Sequence, residues 1–249
     1  MIYVCVVTRN QSATAGLVLW KLRKVFQEYP REYHILVADD ASTDGTSETL
    51  DTYQRALPLT LHQHQKPQGA AACLEGLLRD ALGRSDRPKR DCVVTLPADF
   101  SVSPAVLPDL VRRFESGADV VVGEVDAAEP TLGMRLVRRH AARLLRPGVS
   151  LPGIRDLTSG VSLIRLITLK NCLRDRPDGL LTSSGASTHA ELVARAAAGA
   201  RQISAVGLAG RPEGAAERSL GDAIGLALDL LRSGRRLRIP APSAPVSRG

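Results

Sequence analysis

Short apolar-rich stretches, several of them unbroken, alternate along the chain with stretches whose apolar residues recur every three to four positions. Residues 2–8, 33–38, 57–62, 92–96, 119–125 and 201–206 are of the first kind and predict short strands. The run Val120-Val121-Val122 reads as a strand buried on both faces. Residues 13–29, 47–53, 71–82, 135–146, 188–196 and 219–232 are of the second kind and predict helices, with a further helix started by Pro104 and Pro108. In the first helix Leu17, Trp20, Leu22, Val25 and Phe26 read as the core face, and Pro30 ends it. This alternation predicts one doubly wound, Rossmann-like α/β domain over residues 1–235. Beyond it, residues 236–249 turn rich in Pro, Ala and Ser and predict a disordered tail.

Polar residues gather where the predicted strands end. Asp39-Asp40-Ala41-Ser42-Thr43-Asp44-Gly45-Thr46 follows the second strand and opens a helix. Two carboxylates, hydroxyls and a helix start are thus packed into one βα turn. In open α/β sheets ligands bind outside the carboxyl ends of the strands. Carboxylates there can accept from base or ribose groups, and a helix start can hold an anion. Thr8-Arg9-Asn10-Gln11 follows the first strand, Lys66-Pro67-Gln68-Gly69 the third, and Pro97-Ala98-Asp99 the fourth. Gly69 lets backbone approach a ligand closely.

Charge narrows the partners. The 33 Lys and Arg exceed the 26 Asp and Glu by 7, which favours anionic ligands or an anionic membrane surface. Aromatics are only 3% of residues, too few for a base-stacking platform, and no nucleic-acid-binding motif is present. Cys5, Cys73, Cys92 and Cys172 are far apart and form no Cys-x-x-Cys pair, so neither a zinc site nor a disulfide framework is expected. No apolar run reaches the roughly 18 residues of a membrane span, and the amino terminus lacks a signal-peptide layout. A reducing, cytoplasmic setting is expected.

The segment Asp39 to Thr46 resembles the Asp-Asp-x-Ser-x-Asp-x-Thr stretch of family-2 glycosyltransferases, and Asp156-Leu157-Thr158-Ser159-Gly160 resembles the Asp-x-Thr-Ser-Gly segment of their polyprenol-phosphate subgroup, of the dolichol-phosphate mannosyltransferase type. With gaps, the resemblance runs from about Val4 to Leu231. It implies the GT-A nucleotide-diphospho-sugar transferase fold with a mixed sheet, and transfer of a sugar from a GDP- or UDP-sugar with inversion. Thr8, Asn10, Asp39, Asp40, Asp44, Lys66 and Gly69 would then face the nucleotide. Where the subgroup reads Asp-Ala-Asp, this chain reads Pro97-Ala98-Asp99. Asp99 is therefore the one expected contact to a divalent cation, Mg²⁺ or Mn²⁺, with weakened affinity.

The same resemblance assigns the acceptor side. Arg135, Arg138 and Arg139, one turn apart on a basic helix, would meet a lipid phosphate, and Asp156, Ser159 and Gly160 would line the sugar and acceptor pocket. Arg211 belongs to a loop like the family's Arg-x-x-Gly-x-Ser-Lys, which closes on the diphosphate, and Glu191 occupies a matching acidic position. A lone His189 reads as a surface residue. Expected partners are a nucleotide-sugar donor, a polyprenol phosphate or other glycosyl acceptor, the cytoplasmic face of a membrane through basic amphipathic helices, and a second copy of the chain as an open alternative. Two other readings remain: a hydroxyl acceptor with Glu191 as general base, and a nucleotide-binding relative without transferase activity.

Overall fold

The computed structural model describes residues 1–125, 132–145, 148–176, 179–185, 187–208 and 220–248. Among them eight strands form one sheet in the order β3-β2-β1-β4-β6-β5-β7-β8. The strands are β1 Ile2–Thr8, β2 Tyr33–Asp39, β3 Leu59–Gln63, β4 Cys92–Pro97, β5 Val120–Val125, β6 Ser162–Arg165, β7 Ile203–Leu208 and β8 Val246–Arg248. All pairings are parallel except those of β6, which runs antiparallel between β4 and β5. The sheet is therefore mixed, as expected.

The helices are α1 Ala15–Glu28, α2 Thr46–Gln54, α3 Ala70–Arg84, α4 Leu107–Glu115, α5 Leu132–Leu144, α6 Leu166–Arg174, α7 Ser187–Ala198 and α8 Leu220–Arg236. Strand side chains alternate between two cores, one on each sheet face. Ile2, Val4 and Val6 of β1 join the cluster with α1, α2 and α4; Tyr3 and Cys5 join the one with α3, α6, α7 and α8. Burial on both faces explains why these strands lack polar alternation.

The α1 face differs from expectation by one position. Ala15, Val18, Leu19, Leu22, Val25 and Phe26 are buried, whereas Leu17 and Trp20 are exposed. Counting from Leu22, the i−3 and i−4 neighbours are Leu19 and Val18, so Leu17 and Trp20 fall on the solvent side. The Lys24 ammonium lies 4.5 Å from the Trp20 ring centre, covering part of it.

The tail is also placed, against the expectation of disorder. Ile239 N donates to Gly148 O, and β8 pairs with β7. The open edge of β7 supplies main-chain partners that composition does not reveal. Nearby, α5 and α8 cross at glycines. A methyl at Gly234 would lie 2.7 Å from Leu144 O. Alanine normally stabilises a helix over glycine by about 0.5–1 kcal/mol, but here it would meet backbone that cannot swing aside. Gly234→Ala is expected to destabilise by about 1–3 kcal/mol, read as a lower urea midpoint. A raised midpoint would show that the crossing is loose.

Candidate active site

Register aligns the carboxyl ends of the parallel strands. Thr8 pairs with Asp39, Asp39 with Gln63, and Val7 with Pro97, so the loops after β1, β2, β3 and β4 share one edge. Among the described residues, the non-glycine residues with left-handed φ are Asn10, Ala41 and Phe100, at +53°, +56° and +55°. They lie just past β1, β2 and β4. Such backbone costs about 1–2 kcal/mol for an ordinary residue and concentrates where geometry serves a ligand.

The loop carboxylates hold this edge in shape. Asp39, buried, accepts from Ser42 N and Oγ and from Ser47 Oγ. Asn10 N donates to Ser42 Oγ at 2.9 Å, and Asn10 Oδ1 accepts from Thr43 N at 2.8 Å. Ser12 N donates to Asp44 Oδ2 at 3.1 Å, so the loops after β1 and β2 are interlocked. The hydroxyl of Thr46, outweighing modest desolvation and joined by Ser12, pulls the Asp44 carboxyl down to about 2. Asp40 reaches the next loop, accepting from Gln68 N at 2.5 Å and Gly69 N at 3.1 Å. Burial would raise its pKa, but those amides, the Cys73 thiol and Arg9 outweigh it and leave it below the ordinary value. Arg9 stands 4.0 Å away and is exposed. Gly69 has a φ of +89° and, like Lys66, is exposed on the rim.

Asp99, half-buried, follows β4 and accepts from Ser101 N at 2.9 Å. Among the described residues no group of three or more His, Cys, Asp or Glu could enclose a metal. A cation site at Asp99 would draw this one carboxylate from the described residues. Mg²⁺ is commonly held by one or two carboxylates plus phosphate oxygens and water, so this donor set fits a cation bound together with a diphosphate. Two hydroxyls at this edge, Thr8 Oγ1 and Ser101 Oγ, are buried without a hydrogen-bond partner.

The other half of the edge is built by residues 156–161. Asp156 Oδ1 caps Thr158 through its N and Oγ1, both at 2.7 Å, and Oδ2 receives Val125 N and Arg138 Nη1. Ser159 Oγ donates to Gly123 O at 2.6 Å, tying the segment to β5. Gly160, with φ +77°, brings the chain against the Pro97 ring. Pro97, standing where the family pattern has a carboxylate, thus takes a packing role.

Arg138 is set apart from Arg135, with which it was expected to meet a lipid phosphate. It is 5% exposed and turned inward to Asp156, while Arg135 is exposed. A buried charge needs a carboxylate partner, and sequence spacing did not reveal which arginine has one. The side chain of Arg139 and all of Arg211 lie outside the described residues. Glu191 is fully buried. It accepts from Thr182 N, Ser183 N, Thr182 Oγ1 and the Arg195 guanidinium. Burial would raise its pKa, but Arg195 and the two amides outweigh it and hold it low. A carboxylate so occupied is a loop anchor rather than a base facing a substrate. His189, read as a surface residue, is buried; the apolar Ala190, Leu192 and Val193 around it in sequence carried that signal.

Residues 3–165 match the profile described as Glycosyl transferase family 2. A dolichol-phosphate mannosyltransferase from Pyrococcus furiosus is 26% identical over 135 residues, which are 52% of this chain and 36% of that protein. The match thus spans about a third of that relative's length. Among solved structures, glucosyl-3-phosphoglycerate synthase from Mycobacterium tuberculosis, bound to Mn²⁺, UDP and glucosyl-3-phosphoglycerate, superposes with a TM-score of 0.64 at 18% identity, over 96% of this chain and 81% of that one. The mannosyltransferase PcManGT from Pyrobaculum calidifontis, in complex with GDP-Man and Mn²⁺, gives 0.54 at 22% identity, over 85% and 57%. These likenesses show a shared GT-A fold. With the profile match covering well over half its length, the chain belongs to glycosyl transferase family 2.

Proposed function

We propose that this protein transfers a sugar from a nucleoside diphosphate sugar to a polyprenol phosphate. The observation that carries the donor half is the strained, interlocked edge past β1, β2 and β4, where Asn10, Ala41 and Phe100 take left-handed backbone beside the unpartnered hydroxyls of Thr8 and Ser101. Such a surface is shaped before any ligand arrives, which is what electrostatic catalysis needs. Asp39 and Asp40 hold the base and ribose side, with Thr8, Asn10 and Gly69 around them and Lys66 at the rim. Asp44 fixes the loop. A Mg²⁺ or Mn²⁺ ion bound by Asp99 and the diphosphate would neutralise the leaving group. Arg211 closes on the diphosphate from the family's terminal loop.

Leu132 and Leu136 of α5 and Ile224, Leu228 and Leu231 of α8 are exposed, and so are Arg135, Arg232, Arg235 and Arg236. Exposed leucines beside arginines suit a bilayer surface carrying an anionic lipid. No helix among the described residues is long and apolar enough to cross a membrane. Arg135, with Arg139, receives the phosphate, while Arg138 and Asp156 brace the segment through Ser159 and Gly160. An ionised phosphate needs no general base, in keeping with the full occupation of Glu191. The test is sugar transfer from GDP- and UDP-sugars to a polyprenol phosphate and to the matching polyprenol in vesicles. Product from the phosphate alone is expected. Product from the free alcohol at a similar rate would contradict the acceptor assignment.

A further inference from the structure

His189 is the third residue of α7. That helix precedes β7 and runs back along the sheet, so its first turn stands at the carboxyl-end edge, in the half built by β6, β5 and β7 rather than the nucleotide half. The ring is 7% exposed, and Nδ1 lies 3.2 Å from Leu157 O, in the segment between Asp156 and Ser159. A carbonyl only accepts, so Nδ1 carries the proton and Nε2 presents a bare lone pair. Nε2 is buried and has no hydrogen-bond partner. Burial lowers the pKa of the ring, keeping it neutral near pH 7. An orphaned buried acceptor is costly to the fold, and such atoms call for an explanation.

The chemistry of the missing partner follows from the lone pair. Nε2 can pair only with an O–H or N–H donor; an ionised phosphate or carboxylate offers none. A sugar offers several hydroxyls. We propose that His189 Nε2 accepts a hydrogen bond from a hydroxyl of a sugar-bearing ligand, making it a specificity-determining residue of this site. The inference rests on the transferase reading above. The hydroxyl belongs to the transferred sugar, since the ionised phosphate of the acceptor proposed above offers none.

The experiment compares wild type, His189→Leu and His189→Gln. Calorimetry is run with UDP, GDP and their sugars in Mn²⁺, alongside turnover against pH and thermal melting. A transferred-sugar hydroxyl predicts unchanged nucleoside diphosphate binding, at least tenfold weaker sugar-nucleotide binding in His189→Leu, and partial recovery in His189→Gln. Unchanged sugar-nucleotide binding in His189→Leu, even with lowered turnover, overturns the assignment. His189→Leu removes the orphaned Nε2 but also the Nδ1 hydrogen bond to Leu157 O, so melting serves to show that each variant is folded. Should the leucine variant fail to fold, the glutamine variant is judged by the same readouts. Sugar-nucleotide binding and turnover that both stay at wild-type levels overturn the proposal. Failure of the wild type to bind any nucleoside diphosphate contradicts the donor reading itself, and this inference falls with it.

Discussion

Glu191→Ala is expected to lower stability by about 3–5 kcal/mol, because it breaks a buried ion pair and leaves one charge behind. Arg195 is only 9% exposed, and its Nε lies 2.9 Å from Glu191 Oε1. The substitution also strips acceptors from Thr182 N at 2.9 Å and Ser183 N at 2.7 Å. The two preceding amides, Leu180 N and Leu181 N, donate to Glu75 Oε2 at 2.8 and 3.1 Å, and Glu75 is paired with Arg79. Four successive amides are therefore held by two carboxylates, each with an arginine one turn on. Losing Glu191 frees half of this clamp and disturbs the entry to α7, where His189 sits. Urea unfolding measures the loss as a shift in midpoint at constant slope. The double variant Glu191→Ala/Arg195→Met is expected to recover part of it, since no charge is then left unpaired. A loss below about 1 kcal/mol would mean that the pair behaves as a surface contact.

Asp99→Ala is expected to reduce turnover by about 10²–10³-fold, the size seen when one preorganised electrostatic group is removed, while leaving the fold nearly intact. Asp99 is half-buried at the sheet edge and accepts a hydrogen bond from Ser101 N. Such a bond contributes about 1 kcal/mol, and thermal melting checks that the variant is folded. Asp86→Ala is the control, because it removes an exposed carboxylate from the loop before β4, at the opposite end of the strands. Its turnover should stay far above that of Asp99→Ala. Full turnover in Asp99→Ala would remove the carboxylate from the reaction.

Strands β1, β2, β4 and β5 were legible because burial on both sheet faces leaves an unbroken apolar run, and the polar residues after them marked the ligand edge. Strand β6 was not legible. It has four residues, runs antiparallel, and is specified by pairing with β4 and β5 rather than by its own pattern. The carboxylates were found as a cluster, yet their present partners are loop amides and hydroxyls, which only the register of neighbouring loops could reveal. The pairing of Arg138 with Asp156 joins distant parts of the chain, so helix spacing could not separate it from Arg135. The burial of His189 was hinted at by its apolar neighbours, but its bond to Leu157 O was not. Where Pro97 replaces a family carboxylate, its packing on Gly160 depends on a segment over 60 residues away and had no local signal.

Calorimetric titration of the wild type and Asp99→Ala with UDP-, GDP- and TDP-sugars, with and without Mn²⁺, tests the central claim most directly. The account predicts that one nucleotide sugar binds the wild type, that Mn²⁺ strengthens its binding, and that Asp99→Ala loses this gain. Binding of none of the three, with or without Mn²⁺, would contradict the assignment of the carboxyl-end edge as a donor site.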